Sequence, residues 1–219
     1  FHYKKGGRAT YVPGVGIVTK KFELNAEERA KTRKALGIKE DEIVLLSVGE
    51  INQNKNHKVV LKALEKIGKK DIRYVICGIG PLMDTNQHLS ESLGIGNQVI
   101  FAGFRTDIDK FYQAADVFVI SSFREGLPVS LMEAMSAGLP CIASRIRGNV
   151  DLLSDSQLLF EPRDVNSLCR ALMKVTDKNI AAEEVRKNFQ TLPRFSLEEA
   201  VKAMKQIYAD VINELSATG

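Results

Sequence analysis

The chain is poor in cysteine. Cys77, Cys141 and Cys169 are its only three, far apart, with no CxxC pair and no Cys/His spacing of a metal site. That excludes a disulfide framework and a zinc module. Cys77 and Cys141 sit in apolar runs and read as small core residues, suited to a reducing cytosol. No apolar stretch is long enough to span a bilayer, and no signal peptide is visible. Internal repeats and low-complexity tracts are missing too. Ser121 and Ser122 lack the G-x-S-x-G setting of a hydrolase nucleophile. Gly78-Ile79-Gly80-Pro81 lacks the third glycine of a dinucleotide fingerprint, so an NAD-binding oxidoreductase is a distant reading. A basic stripe with interleaved aromatics is also lacking at a net charge of +4, so nucleic acid is not expected as a partner. The clusters Lys4-Lys5-Arg8, Lys20-Lys21 and Lys66-Lys69-Lys70 read as solvated surface or, more sharply, as contact with an anionic membrane.

What is present suits one domain with an appended element. The chain has 219 residues, 44% hydrophobic and 26% charged. It begins at Phe1 rather than Met, and is read as a piece of a longer protein. Short apolar runs at Ile43–Val48, Arg73–Cys77, Val99–Ala102, Val117–Ile120, Cys141–Ala143 and Leu158–Phe160 have the continuous pattern of strands buried on both faces. Helical patterns lie between or after them, over His57–Ile67, Leu82–Leu93, Ile108–Ala114, Pro128–Ala137 and Val165–Val175. This alternation predicts an α/β fold, a Rossmann-like doubly wound parallel sheet of about six strands. Residues 1–20 read as a linker, 21–195 as the Rossmann-like domain, and 196–219 as a long amphipathic C-terminal helix opened by a Ser196/Glu199 capping box. Asp164 is expected to cap the helix after it, and Asp107 with Thr106 the helix at Ile108.

The most informative segment runs from Ser121 to Met135. It starts where the fourth strand ends, and parallel sheets bind ligands at the carboxyl ends of their strands. Pro128 suits the first helical position. Gly126 leaves room for close approach, and the helix N-terminus is a ready site for a diphosphate. Glu133 is a lone carboxylate in an apolar helix, placed either to bind hydroxyls such as a ribose diol or on a narrow exposed strip. Lys55, in the loop after the first strand, could reach a phosphate or stand solvated. Asp107-Ile108-Asp109 matches a short metal motif but reads better as a helix start, so no metal or other cofactor is expected.

Together these segments resemble the C-terminal domain of retaining glycosyltransferases of the GT-B fold, glycosyltransferase family 4. Glu125 and Glu133 have the family's acidic spacing, with Gly126 and Pro128 in place. Ala115-Asp116-Val117-Phe118-Val119 and Gly138-Leu139-Pro140-Cys141-Ile142-Ala143-Ser144 flank them. Pro13-Gly14-Val15, Gly49 with Lys55-Asn56, Gly78-Ile79-Gly80-Pro81 and Gly103-Phe104-Arg105 follow in family order. The resemblance runs from about Val12 to about Pro162 and implies a division of labour. An N-terminal domain, absent here, would bind the acceptor, a glycan or lipid-linked glycan. This chain would bind a nucleoside-diphosphate sugar, most simply UDP-linked, carrying a hexose or N-acetylhexosamine. Glu133 would hold the ribose. Glu125, Gly126, Leu127, Pro128 and Val129 would hold the sugar and diphosphate, and Lys55 would neutralise the phosphates. Phe104 and Arg105 would border the base, and Gly49 and Gly78 would lie beside the donor. Lys55 and Glu125 are the expected catalytic residues, with no covalent nucleophile.

Two departures from the pattern stand out. Glu50 replaces a frequent arginine beside the diphosphate, so either it points away or Arg124 or Arg147 substitutes. Arg147-Gly148 replaces a common Gly-Gly pair. The resemblance implies a cytoplasmic setting at or near the inner face of the membrane, and an isolated fragment that transfers little sugar. The rival readings are a degenerate nucleotide-binding or scaffolding module, and another GT-B enzyme such as an epimerase.

Overall fold

The computed structural model describes residues 16–22 and 25–217. Pro13-Gly14-Val15 and the basic residues Lys4, Lys5 and Arg8 lie outside them. The strands are β1 (Ile43–Val48), β2 (Ile72–Cys77), β3 (Val99–Gly103), β4 (Val117–Ile120), β5 (Cys141–Ser144) and β6 (Leu159–Phe160). All pair in parallel in the order β3-β2-β1-β4-β5-β6. The chain starts at a central strand, winds outward to β3, then returns to the other side of β1. That reversal places the loops after β1 and β4 at the carboxyl ends of the strands, the switch point where open parallel sheets hold ligands in a crevice.

The helices are α1 (Ala26–Ala35), α2 (His57–Ile67), α3 (Met83–Ser92), α4 (Ile108–Ala114), α5 (Val129–Ser136), α6 (Arg147–Val150), α7 (Val165–Lys174), α8 (Lys178–Thr191) and α9 (Leu197–Ala217). Helix α2 packs on α7 and α3, and its residues Val59, Val60, Ala63 and Leu64 share one buried cluster with Leu168, Ala171 and Leu172 of α7. Each such valine or leucine contributes on the order of 1.5–3 kcal/mol by leaving water. Helix α1 packs on α4, and α5 on α8 and the short helix Thr19–Phe22.

The strands fall within one residue of the apolar runs. Pro128 differs slightly from expectation: it occupies the N-cap, in extended conformation, and α5 begins at Val129. Asp164 caps α7 as expected, accepting from the N–H groups of Asn166 and Ser167. Asp107 occupies the N-cap of α4 without capping it. Its carboxylate is taken by Arg105, through two bonds of 2.9 Å each.

Helices α1, α6 and α8 carry no strong apolar stripe and escape the pattern. Polar anchors hold them instead. In α1, Arg29 and Arg33 reach the Asp116 carboxylate before β4 and the carbonyls of Gln113, Ala114 and Ala115. In α8, buried Asn188 donates to Leu139 O at 3.0 Å.

Two compact units are present. Thr19–Leu192 form the α/β unit. The other joins residues 16–18 to the segment from Pro193, with Ile17 N donating to Phe195 O at 3.1 Å and Leu197 N to Ile17 O at 3.2 Å. Ser196 Oγ accepts from Glu199 N at 3.2 Å, the first half of a capping box. Val201, Met204, Tyr208 and Val211 are exposed along α9.

Gly78 is forced by backbone contact. Gly78 has φ +155°, and a Cβ there would lie 1.9 Å from the Gly49 carbonyl oxygen. Neither backbone can yield without moving the β1–α2 loop. Gly78→Ala is expected to cost about 2–4 kcal/mol, from overpacking plus a disfavoured φ. Urea unfolding checks this, and a loss below about 1 kcal/mol would show that the loop adapts.

Candidate functional site

The site is built by sewing the β1–α2 loop to the β4–α5 loop. Ser121 Oγ donates towards Lys55 O at 2.7 Å and lies 3.2 Å from Asn56 O. Phe123 N donates to Asn54 O at 2.8 Å, and Asn54 Nδ2 returns a bond to Arg124 O at 2.9 Å. Asn56 Nδ2 donates to Pro162 O at 2.9 Å, which ties in the β6–α7 connection. Asn56 is left-handed at φ 52°, alone among the described non-glycine residues. Asparagine tolerates this conformation better than most residues.

This stitching carries Lys55 over Gly49 and onto Glu125. Lys55 Nζ and Glu125 Oε1 are 2.7 Å apart, with side chains 21% and 15% exposed. A Cβ on Gly49 would meet Lys55 Cε at 3.1 Å, so Gly49 is the floor under the lysine. Gly78 lies behind that floor, against the Gly49 carbonyl, and reaches the site only through it.

Gly126 follows Glu125, and a Cβ there would have no protein atom within 4 Å. Leu127 and Pro128 lead into α5, where the N–H groups of Leu131 and Met132 both turn to Pro128 O. Val129 is exposed at the start of the helix. The positive end of α5 therefore stands beside the ion pair.

Glu133 lies one turn along. It is half-buried, and its Oε2 is 2.8 Å from the Tyr112 hydroxyl, which is also 3.1 Å from Ser130 O. Burial raises the Glu133 pKa, and the Tyr112 bond and the Lys21 charge partly offset this. Phe22 meets Tyr112 edge-on, ring centroids 5.5 Å apart. Glu133 is thus a held carboxylate with Oε1 unbonded among the described residues. Tyr112 has no sequence signal, because only folding brings α4 against α5.

Behind the loop, Ser144 Oγ donates to Ser122 O at 2.6 Å, and Asn149 Nδ2 donates to Ser144 O at 2.9 Å. A Cβ on Gly148 would fall 2.3 Å from Gly126 O and 2.6 Å from Glu125 O, so only glycine lets α6 approach this closely. Exposed Arg147 immediately precedes it, with no ion pair among the described residues. Glu50 is exposed and accepts from Asn52 Nδ2 at 2.8 Å. Phe104 is 72% exposed just past the edge strand β3. Arg105 beside it pairs with Asp107 and lies 4.9 Å from the Phe111 ring centroid.

Two polar groups beneath the floor are withheld from chemistry. Cys77 is pushed up to about 12 by burial, so its thiol stays protonated. His57 is buried and its pKa is lowered to about 4, chiefly by desolvation and then by Lys55. No group of three or more His, Cys, Asp or Glu is placed to hold a metal among the described residues.

Residues 28–191 match the family described as "Glycosyl transferases group 1". The chain belongs to this family. EpsD of Bacillus subtilis, a relative whose name describes it as a putative glycosyltransferase, is 32% identical over 94% of the chain and 56% of its own length. An Escherichia coli relative, named UDP-Gal:alpha-D-GlcNAc-diphosphoundecaprenol alpha-1,3-galactosyltransferase, is 31% identical over 90% of the chain and 53% of its own length. The chain thus spans about half the length of the curated relatives it matches. Anabaena HepE, solved in complex with UDP, superposes with a TM-score of 0.78 at 21% identity, over 90% of the chain and 56% of HepE. That likeness shows the fold. No helix among the described residues is long and apolar enough to cross a membrane.

Proposed function

We propose that this chain is the donor-binding part of a retaining, metal-independent transferase of glycosyltransferase family 4. It would take a hexose or N-acetylhexosamine from a UDP-sugar. The observation that carries the proposal is the Lys55–Glu125 pair at the β1/β4 crevice, beside the start of α5 and one turn from Glu133. A diphosphate arriving at the helix start competes for the Lys55 ammonium. Lys55 then neutralises charge on the departing phosphate, as the helix dipole does. Glu125, released, accepts hydrogen bonds from the sugar hydroxyls. Glu133 receives the ribose diol on Oε1 while Tyr112 holds Oε2. Arg147 is the cation assigned to replace the missing arginine at position 50, because its neighbour Gly148 lies against the Glu125–Gly126 backbone. Phe104 offers a ring to the base at the end of β3, two strands from β1, on the order of 10 Å.

Glu125 serves as a binding carboxylate rather than a hydrolase acid, and the donor phosphate takes the acceptor proton on the same face. HepE's UDP complex and the UDP-Gal in the E. coli relative's name support a uridine donor. That relative's name also carries a lipid-linked diphosphate acceptor, and a Corynebacterium diphtheriae relative's name an inositol phosphate. A lipid-linked or phosphorylated acceptor met at the inner membrane face, with a further domain supplying its site, is the reading in line with them.

Calorimetric titration with UDP, GDP and ADP in EDTA, then with magnesium, tests the proposal. Saturable UDP binding in EDTA is expected. Glu133→Ala should weaken UDP by about 10- to 100-fold, the worth of charge-assisted hydrogen bonds, while exposed Lys62→Ala leaves it unchanged. Equal effects of the two would remove the ribose assignment. A nucleotide-binding module without transfer is the second reading, favoured by Glu50 in place of a cation. Donor hydrolysis by the complete protein would count against it.

A further inference from the structure

An open cavity of about 1030 Å3 lies at the carboxyl ends of β1, β4 and β6, walled in part by Asn54, Phe123, Arg124, Glu161, Arg163 and Asp164. Its loops lead into α2, α5 and α7. Glu133 and Tyr112 do not line it. Asn54 adjoins Lys55 and Arg124 adjoins Glu125, so the cavity opens where the ion pair ends.

Its charges are unevenly committed. Both carboxylates have partners: Asp164 caps α7 at 2.8 and 3.1 Å, and Glu161 lies 3.4 Å from Arg145 Nε. Arg124 and Arg163 are exposed, and neither guanidinium has an ion pair or hydrogen bond among the described residues. Arg163 instead lies over the Phe123 ring, 5.1 Å from its centroid. Stacking restrains the side chain while leaving the N–H groups at the guanidinium edge unused. Asn54 fixes the Arg124 carbonyl at 2.9 Å. Two guanidinium forks without ion-pair or hydrogen-bond partners among the described residues thus share one cavity wall with an aromatic ring.

We propose that this cavity is a second anion subsite, taking a phosphoryl group carried by the acceptor, with Arg124 and Arg163 as its bidentate donors. Planar forks match phosphate oxygens, and neither arginine has to break an existing ion pair to turn toward one. The proposal rests on the donor reading in one respect: the donor beside the cavity makes its occupant the acceptor. Recognition of the phosphoryl group stands on the cavity itself.

The test is an NMR titration of this chain, 15N-labelled and saturated with UDP, by inorganic phosphate at constant ionic strength with a chloride control. Saturable shifts of the Arg124 and Arg163 Nε–H signals and the Asn54 side-chain amide are expected. The double variant Arg124→Ala/Arg163→Ala should lose at least tenfold in phosphate affinity and less than twofold in UDP affinity. Its unchanged UDP binding also reports an intact fold. Arg124→Lys/Arg163→Lys should fall between, since an ammonium has no fork. Shifts confined to Lys55 and the start of α5, or a double variant that binds phosphate as the parent does, would overturn the proposal. Failure to bind UDP would sink the donor reading and leave the phosphate titration readable. Glycerol 3-phosphate and vesicles of phosphatidylglycerol with phosphatidylcholine separate the sources. Arginine-dependent saturation by the first marks a free phosphorylated acceptor, and arginine-dependent cosedimentation with the second marks a lipid-borne one. Binding of both that ignores the arginines again overturns it.

Discussion

Asp116→Ala is expected to destabilise the α/β unit by about 3 kcal/mol, the lower end of the range for breaking a buried ion pair from one side. Asp116 Oδ1 pairs with Arg29, and Oδ2 accepts from Arg33 at 3.1 Å and from Val44 N at 2.7 Å. One carboxylate thus fastens α1, the start of β1 and the end of α4. Its removal leaves the Arg33 guanidinium, 6% exposed, without a counter-charge. Arg29 and Asp116 are near 30% exposed, and water there offsets part of the loss, hence the lower end of the range. Asp116→Asn keeps an acceptor and should cost roughly half as much. Urea unfolding should show a lower midpoint at unchanged slope. A shift worth under 1 kcal/mol would mean that α1 is held by its carbonyl contacts alone.

The second large effect is a loss of stability in mild acid that traces to His57. Its Nδ1 lies 3.0 Å from the Tyr74 hydroxyl, which donates to Ser47 Oγ at 2.9 Å, and Ser47 donates to Val119 O at 2.6 Å. The chain links α2, β2, β1 and β4 beneath the site, and His57 is 3% exposed. The folded pKa of about 4 lies below the ordinary 6.5. Between those values the unfolded chain binds the proton and the folded chain does not. Stability therefore rises with pH across this window and is lost as pH falls from 6.5 towards 4. The amplitude is about 3 kcal/mol, since one pKa unit is worth about 1.4 kcal/mol. His57→Gln keeps a polar partner for Tyr74 and cannot titrate. Unfolding measured at half-unit steps should show a difference between parent and variant that closes with falling pH. A parallel offset at every pH would show that His57 titrates alike in both states. Because the chain ends under Lys55, UDP affinity should weaken with it.

The Lys55–Glu125 pair shows how far a sequence reading reaches. Both residues were legible as site candidates, because each follows a buried parallel strand, and such loops converge at the carboxyl edge. Their pairing was not, since 70 residues separate them and only the β1/β4 adjacency joins them. Tyr112 escaped notice for the same reason. Helices α1 and α8 leave little trace in the sequence because periodicity detects apolar faces, whereas Arg29, Arg33 and Asn188 hold them. Asp107 sits at an N-cap position, which by itself predicts a cap. Arg105 beside it offers two charge-assisted bonds, stronger than a single bond to a backbone N–H.

By itself the sequence determined the six strands, the helices with apolar faces, the parallel sheet, the loop where α5 begins and the acidic spacing of Glu125 and Glu133. These follow from local alternation of apolar runs, glycine and proline, which act on neighbouring residues. The tertiary structure decided which charges meet. It turned Lys55 onto Glu125, gave Glu133 to Tyr112, tied Glu50 to Asn52, and left Arg124 and Arg163 facing a cavity without carboxylate partners. Electrostatic partnership depends on distance and burial in space, and sequence separation carries almost none of that information.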